Sequence, residues 1–157
     1  MKKFELTSEF VTFLGKKLFR IKALISFGNV EEGELGGYVE KEENLSNDGN
    51  AWVYGNARVF GNARVYGDAE VFGNAEVFGD AWVYGDADYA TVHGFGSEYR
   101  TTTFFKTKAG DIGVKCGCFY GNLSEFRKKV VETHGETKKA KEYLMLADLM
   151  EFRLTHK

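Results

Sequence analysis

From Asn50 onward one pattern of apolar and polar positions returns every six residues. The chain reads NAWVYG, NARVFG, NARVYG, DAEVFG, NAEVFG, DAWVYG and DADYAT, and the preceding NLSNDG keeps the frame loosely. Residues 44–91 thus hold eight hexads with no insertion. Within a hexad, Ala and Val stand two apart, as Ala57 and Val59 do, so on a strand they point to the same side. Gly followed by Asn or Asp then breaks the strand, because these residues supply the backbone freedom and side-chain-to-backbone bonds of a corner. The period is neither the 3.6 of a helix nor the unbroken 2 of a long strand. Short strand, turn, short strand predicts a mainly β, parallel β-helix over 44–91.

The flanks follow other patterns. In residues 1–43, the apolar runs 10–14 and 18–24 are separated by Gly15-Lys16-Lys17, which predicts a β-hairpin. Residues 33–39 then lead into the hexads as a cap. In residues 92–157, segments 101–106 and 112–120 read as strands joined by 107–111. Asn122 and Glu125 have the spacing of a capping box, and Gly135 supplies a stop, which predicts a helix over 123–134. Ala140, Tyr143, Leu144, Ala147 and Met150 follow 3/4 spacing and predict a second helix over 137–154. The expected organisation is an N-terminal hairpin and cap (1–43), a repeat domain (44–91) and a C-terminal α+β unit (92–157).

The hexads resemble the hexapeptide-repeat left-handed β-helix family. The matching positions are Val53, Val59, Val65, Val71, Val77 and Val83, with the small residues Ala51, Ala57, Ala63, Ala69, Ala75 and Ala81 two positions earlier. Many members carry Gly directly after the aliphatic residue, whereas here an aromatic stands there and Gly follows. The stretches 38–45 and 116–121, with Glu125-Phe126, resemble small phage- and prophage-encoded repeat proteins that join such a solenoid to a C-terminal unit. The resemblance implies a left-handed parallel β-helix, three hexads to a coil, and assembly as a homotrimer or a multiple of one.

The aromatics Tyr54, Phe60, Tyr66, Phe72, Phe78 and Tyr84 are each one residue from an inward Val and so point outward. With three hexads to a coil, Tyr54 lies under Phe72, Phe60 under Phe78 and Tyr66 under Tyr84. Trp52 and Trp82, before their Val residues, also point out, and Arg58 falls beside Glu76 for an ion pair. Outward aromatic surface on this scale is costly in water. These eight aromatics are therefore the expected oligomer interface, with one face meeting partner chains and another meeting the chain's own flanks.

Composition narrows the function classes. The formal net charge is −2, so nothing argues for binding long nucleic acid, which needs a basic stripe. No window approaches the ~20 apolar residues of a membrane span. Glu5 and Glu9 interrupt any signal-peptide core. Two cysteines, Cys116 and Cys118, cannot make a disulfide scaffold, and a cytoplasmic location fits them best.

Candidate chemistry is sparse. The family's acyl transfer would need CoA and a His base. The histidines are His93, His134 and His156. None lies in the regular hexads, and only His93, at the solenoid exit, is placed for that role. Cys116-Gly117-Cys118 lacks two further zinc ligands and reads as small buried side chains. The segment from Gly94 to Thr103 carries what a phosphate needs: glycine N–H groups, Ser97 and Thr101–Thr103 as hydroxyl donors, and the Arg100 guanidinium. Its spacing matches neither a P-loop nor a dinucleotide fingerprint. Tyr99, Phe104 and Phe119 would stack on a base.

The reading is a non-enzymatic, oligomeric binding protein. It would sequester a small phosphorylated molecule or nucleotide, such as an immune signal in anti-defence, with Ser97, Tyr99, Arg100, Thr101, Thr102, Thr103, Phe104 and Phe119 as the site. No metal or cofactor is expected. The alternatives are a CoA-using acyltransferase and a self-assembling scaffold.

Overall fold

The computed structural model describes residues 2–85, 88–96, 100–117 and 119–155, with Arg100 described for its backbone only. The chain divides into two compact units, Met1–Asp86 and Ala87–Lys157.

The first unit opens with β1 (Phe4–Phe13), β2 (Lys16–Ala23) and β3 (Leu35–Val39). A 3-10 turn follows at Glu42–Asn44. Then come six two-residue strands: β4 (Trp52–Val53), β5 (Arg58–Val59), β6 (Arg64–Val65), β7 (Glu70–Val71), β8 (Glu76–Val77) and β9 (Trp82–Val83). The β1–β2 hairpin and the β2–β3 pair are antiparallel. β3 then pairs with β5 in parallel, so the hairpin is continuous with the repeats. The repeat strands pair in parallel with Val53 opposite Val71, Val59 opposite Val77 and Val65 opposite Val83. The six Ala and six Val at the matching positions, Ala51 to Ala81 and Val53 to Val83, are at most 1% exposed, so this face is the interior of the unit.

The expectation of a left-handed parallel β-helix, and of membership in the hexapeptide-repeat family, is corrected by this sheet arrangement. The largest sheet, β1-β2-β3-β5-β8, mixes antiparallel and parallel pairing, while β4-β7 and β6-β9 are separate two-stranded ladders. Among the described residues no sheet is curled or closed. The physical reason lies in the flank: the antiparallel strands β1, β2 and β3 pair through β3 onto β5, so the repeats share a mixed sheet with the hairpin. Gly55, Gly61, Gly67, Gly73 and Gly79 all adopt φ between 57° and 69°, ending each strand after two residues. At Gly67 a Cβ would also lie 2.4 Å from the Tyr84 carbonyl oxygen, so the backbones approach too closely for any side chain.

Two polar side chains are sealed into this unit. Asn44 is fully buried. Its Oδ1 accepts from the N–H of Glu40 (3.1 Å) and Lys41 (3.0 Å), and its Nδ2 donates to the carbonyls of Gly61 (3.2 Å) and Ala63 (2.9 Å). Lys3, 1% exposed, donates to the Ala51 carbonyl at 2.7 Å and lies 4.7 Å from the centre of the Phe27 ring. Burial pulls its pKa down from 10.5 to about 8, against the opposing pull of Asp48.

The second unit is an antiparallel sheet of β10 (Tyr89–Phe95), β11 (Arg100–Lys106), β12 (Ile112–Cys116) and β13 (Phe119–Asn122), in that order, followed by α1 (Leu123–His134) and α2 (Lys138–Thr155). Residues 89–91, which the hexad frame includes, belong instead to β10. The segment 112–120 is two strands, because the chain reverses at Gly117 with φ 59°. The capping box at α1 is present: Asn122 Oδ1 accepts from Glu125 N at 2.8 Å, and Glu125 Oε1 accepts from Asn122 N at 3.0 Å. The helices cover one sheet face through Phe104, Ile112, Val114, Phe126, Val130, Tyr143, Ala147 and Met150. Arg127 of α1 donates to Asp148 (2.9 Å) and Glu151 (2.7 Å) of α2, tying the two helices together. Neither helix is long and apolar enough to cross a membrane.

Candidate functional site

A cleft of ≈ 210 Å³ opens in the second unit, between the ends of β12 and β13 and the two helices. Helix α1 supplies most of its wall. Phe126, Lys129, Val130, Thr133 and His134 recur at 3/4 spacing and so share one helical face. Phe126, Val130 and Tyr143 are buried and form an apolar floor. Cys116, Phe119 and His134 are half-buried along the sides, and Lys129 and Thr133 stand exposed at the rim.

The aromatic groups hold one another in place. Phe126 lies edge-on to Tyr143 at 5.6 Å between ring centres, and Phe119 is tilted against Phe126 at 5.7 Å. The His134 ring stacks on Tyr143 at 6.0 Å, with 27° between the planes. The Tyr143 hydroxyl is 3.7 Å from Cys116 Sγ, and the Thr102 hydroxyl donates to the same sulfur at 3.2 Å. A Cβ on Gly96 would sit 2.1 Å from the Tyr143 oxygen, and Gly96 has φ 82°. Only glycine lets the chain pass the cleft wall this closely. An apolar floor with a few polar groups at its rim suits a small ligand with one flat ring and a charged end.

The sequence-predicted ligand residues fall in several places. Phe119 is in the cleft wall. Thr102 lies behind it and braces Cys116. Phe104 is fully buried beneath, edge-on to Phe126 at 5.9 Å. Thr101 bonds the Nδ1 of His93 at 2.9 Å. Thr103 is 1% exposed. Alternation along β11 puts Thr102 on one sheet face and Thr101 and Thr103 on the other, so the three hydroxyls do not converge. Ser97, Tyr99 and Cys118 lie outside the described residues, and so does the side chain of Arg100. His93 is exposed on β10. Among the described residues, no three His, Cys, Asp or Glu side chains group as a metal site.

Sequence reasoning missed Phe126, Lys129, Thr133, His134 and Tyr143 as cleft residues. The available signal was the shared face of α1, where the 3/4 stripe changes from Phe126 and Val130 to Thr133 and His134.

The eight outward aromatics also divide. Trp52 is fully buried, edge-on to Phe4 (6.4 Å) and Phe27 (5.3 Å), and Phe60 is buried with Phe13 edge-on at 5.5 Å. Phe60 also stacks on Phe78 at 4.7 Å, and Tyr66 meets Tyr84 at 4.8 Å. Arg58 lies over the Phe13 ring at 4.5 Å, and in the ladder it stands opposite Glu76. Tyr54, Tyr66 and Phe78 are half-buried, and the exposed members are Phe72, Trp82 and Tyr84. A scan of protein-family models and a search of curated proteins both return no match for this chain, so the functional reading rests on the geometry of the cleft.

Proposed function

We propose that this protein binds a small phosphorylated molecule carrying an aromatic ring, of the nucleotide class, and holds it without acting on it chemically. The observation that carries the reading is the cleft beside Tyr143: a floor and walls of Phe119, Phe126 and Tyr143, with Lys129, Thr133 and His134 at its mouth. At ≈ 210 Å³ the cleft is smaller than the ~300 Å³ lower bound of drug-sized pockets. It suits a single base or ring, with the phosphate outside at the rim. There the Lys129 ammonium supplies charge and the Thr133 hydroxyl and His134 imidazole supply hydrogen bonds. Arg100 begins the strand that carries Thr102 and is the second candidate cation. Self-association through Phe72, Trp82 and Tyr84 belongs to the same reading, since exposed aromatics of this size favour a covered state.

The test is native mass spectrometry on gently purified protein, followed by denaturation and small-molecule analysis. A stoichiometric phosphorylated compound is the expected finding. Stacking on one aromatic is worth about 1–3 kcal/mol, so Phe119→Ala should weaken retention by roughly 5- to 150-fold, and Lys129→Ala should weaken it by an amount that shrinks with rising salt, because salt screens that charge in the parent. A compound retained equally by the parent, Phe119→Ala, Lys129→Ala and Arg100→Ala proteins would remove the cleft from the reading.

A further inference from the structure

Helix α2 has two apolar faces, and the core uses one. Ala140, Tyr143, Ala147, Met150 and Leu154 are buried. Met145 (70% exposed), Leu149 (55%) and Phe152 (63%) form a second stripe at i, i+4 and i+7, outside that core. At about 100° per residue, these three positions fall within about 60° of one another, on the side of the helix away from Ala147. An exposed stripe of this spacing is the pattern by which amphipathic helices associate.

We infer that this stripe is a two-fold contact with a second copy of the chain, with α2 antiparallel to α2 of the partner subunit. The charges beside the stripe are complementary to those of a second copy laid antiparallel. Glu142 and Arg153 are eleven residues apart, about three turns, so they lie on the same flank at opposite ends of the stripe. In an antiparallel pair, each flank faces the same flank of the other helix. Glu142 then meets Arg153 of the partner subunit, and the symmetry repeats the pair at the other end. The same register seats Met145 between Leu149 and Phe152 of the partner subunit and brings Leu149 near its own symmetry mate. Lys141 also comes beside the partner's last helical turn, where the carbonyl ends carry partial negative charge. Three exposed side chains and their flanks from each subunit bury on the order of 800–1,000 Å² in total, at the low end for a specific interface. The dimer is accordingly weak, on the order of micromolar.

The test is sedimentation velocity from about 1 to 200 µM, with circular dichroism confirming that each variant is folded. The parent should show a concentration-dependent doubling of mass, and Leu149→Lys should abolish that step while leaving any association through Phe72, Trp82 and Tyr84 unchanged. Glu142→Arg should weaken it roughly tenfold, because two like-charge pairs replace two attractive ones. The double variant Glu142→Arg, Arg153→Glu should restore it to within about threefold of the parent. Leu149→Cys should give a disulfide-linked dimer under mild oxidation that the parent does not give. A parent with the same mass as Leu149→Lys across the range, or a double variant no better than Glu142→Arg, would overturn the assignment. Because the cleft variants Phe119→Ala and Lys129→Ala leave this face intact, failure of ligand binding and failure of the dimer are read separately.

Discussion

The Asn44→Asp substitution changes one NH2 to O at a site where all four hydrogen-bonding directions of the carboxamide are used. In the parent, Oδ1 accepts from two backbone N–H groups and Nδ2 donates to the carbonyls of Gly61 and Ala63. The carboxylate keeps the first two bonds. It loses the other two and sets a negative oxygen against two carbonyl oxygens in a fully buried place. Two lost bonds at about 1 kcal/mol each, with the desolvation of the stranded acceptors and the charge, put the loss at about 3–5 kcal/mol at pH 7. Protonation relieves part of it, because the neutral carboxyl can donate to one carbonyl. The folded state therefore raises the pKa of the introduced carboxyl above the ~3.9 of the unfolded chain. Between those two values the folded state binds more protons than the unfolded one, so variant stability falls as pH rises through that window. Below pH ~4 the penalty should shrink to about 1–2 kcal/mol. Urea unfolding followed by tryptophan fluorescence measures this cleanly, since both tryptophans, Trp52 and Trp82, lie in the first unit. The relevant quantity is the variant-minus-parent difference at pH 4 and pH 7. A difference under ~1 kcal/mol at pH 7, or one that does not change with pH, would refute the four-bond account of Asn44.

Two further outcomes follow from the first unit. Lys3 is buried with its pKa pulled down to about 8. Between pH 8 and 10.5 the unfolded chain therefore binds more protons at this residue than the folded one, and stability at this site rises with pH by up to about 3 kcal/mol. Lys3→Met should lose that rise, and parallel slopes for parent and variant in urea titrations between about pH 7.5 and 10 would contradict it. Trp52→Ala should cost about 3–5 kcal/mol, whereas Trp82→Ala should cost about 1 kcal/mol or less, each read from the remaining tryptophan. Trp52→Phe should cost far less than Trp52→Ala, because among the described residues the Trp52 indole N–H has no hydrogen-bond partner to lose.

Local order was largely written in the sequence. The Ala–Val spacing named the twelve inward Ala and Val residues of the repeats, because side chains two apart on a strand must share a face. Asn122, Glu125 and Gly135 marked the ends of α1, because capping is a contact between residues three or four apart. What reached across the chain was not legible. The antiparallel hairpin continues into the parallel ladders to make mixed sheets, and a six-residue period carries no information about which flank will pair with it. The sequence pointed to Phe119, and its strand reading of 101–106 already divides Thr101–Thr103 between two faces by alternation, but it could not show which of those faces meets the helices, since that depends on tertiary packing. Nor could it place Lys129, His134 and Tyr143 around one cleft, since that depends on how α1 and α2 cross the sheet.

The two tryptophans mark the division most clearly. Both stand in the same hexad context, AWVYG, and local rules send both outward. Trp52 is fully buried and Trp82 is 36% exposed. The difference comes from Phe4 and Phe27, more than twenty residues upstream, which cover one and not the other. The sequence determined which way each side chain leaves the strand, because that is set by backbone geometry at the residue itself. Only the tertiary structure decided what waits there, because burial depends on which distant segment comes to lie against that face.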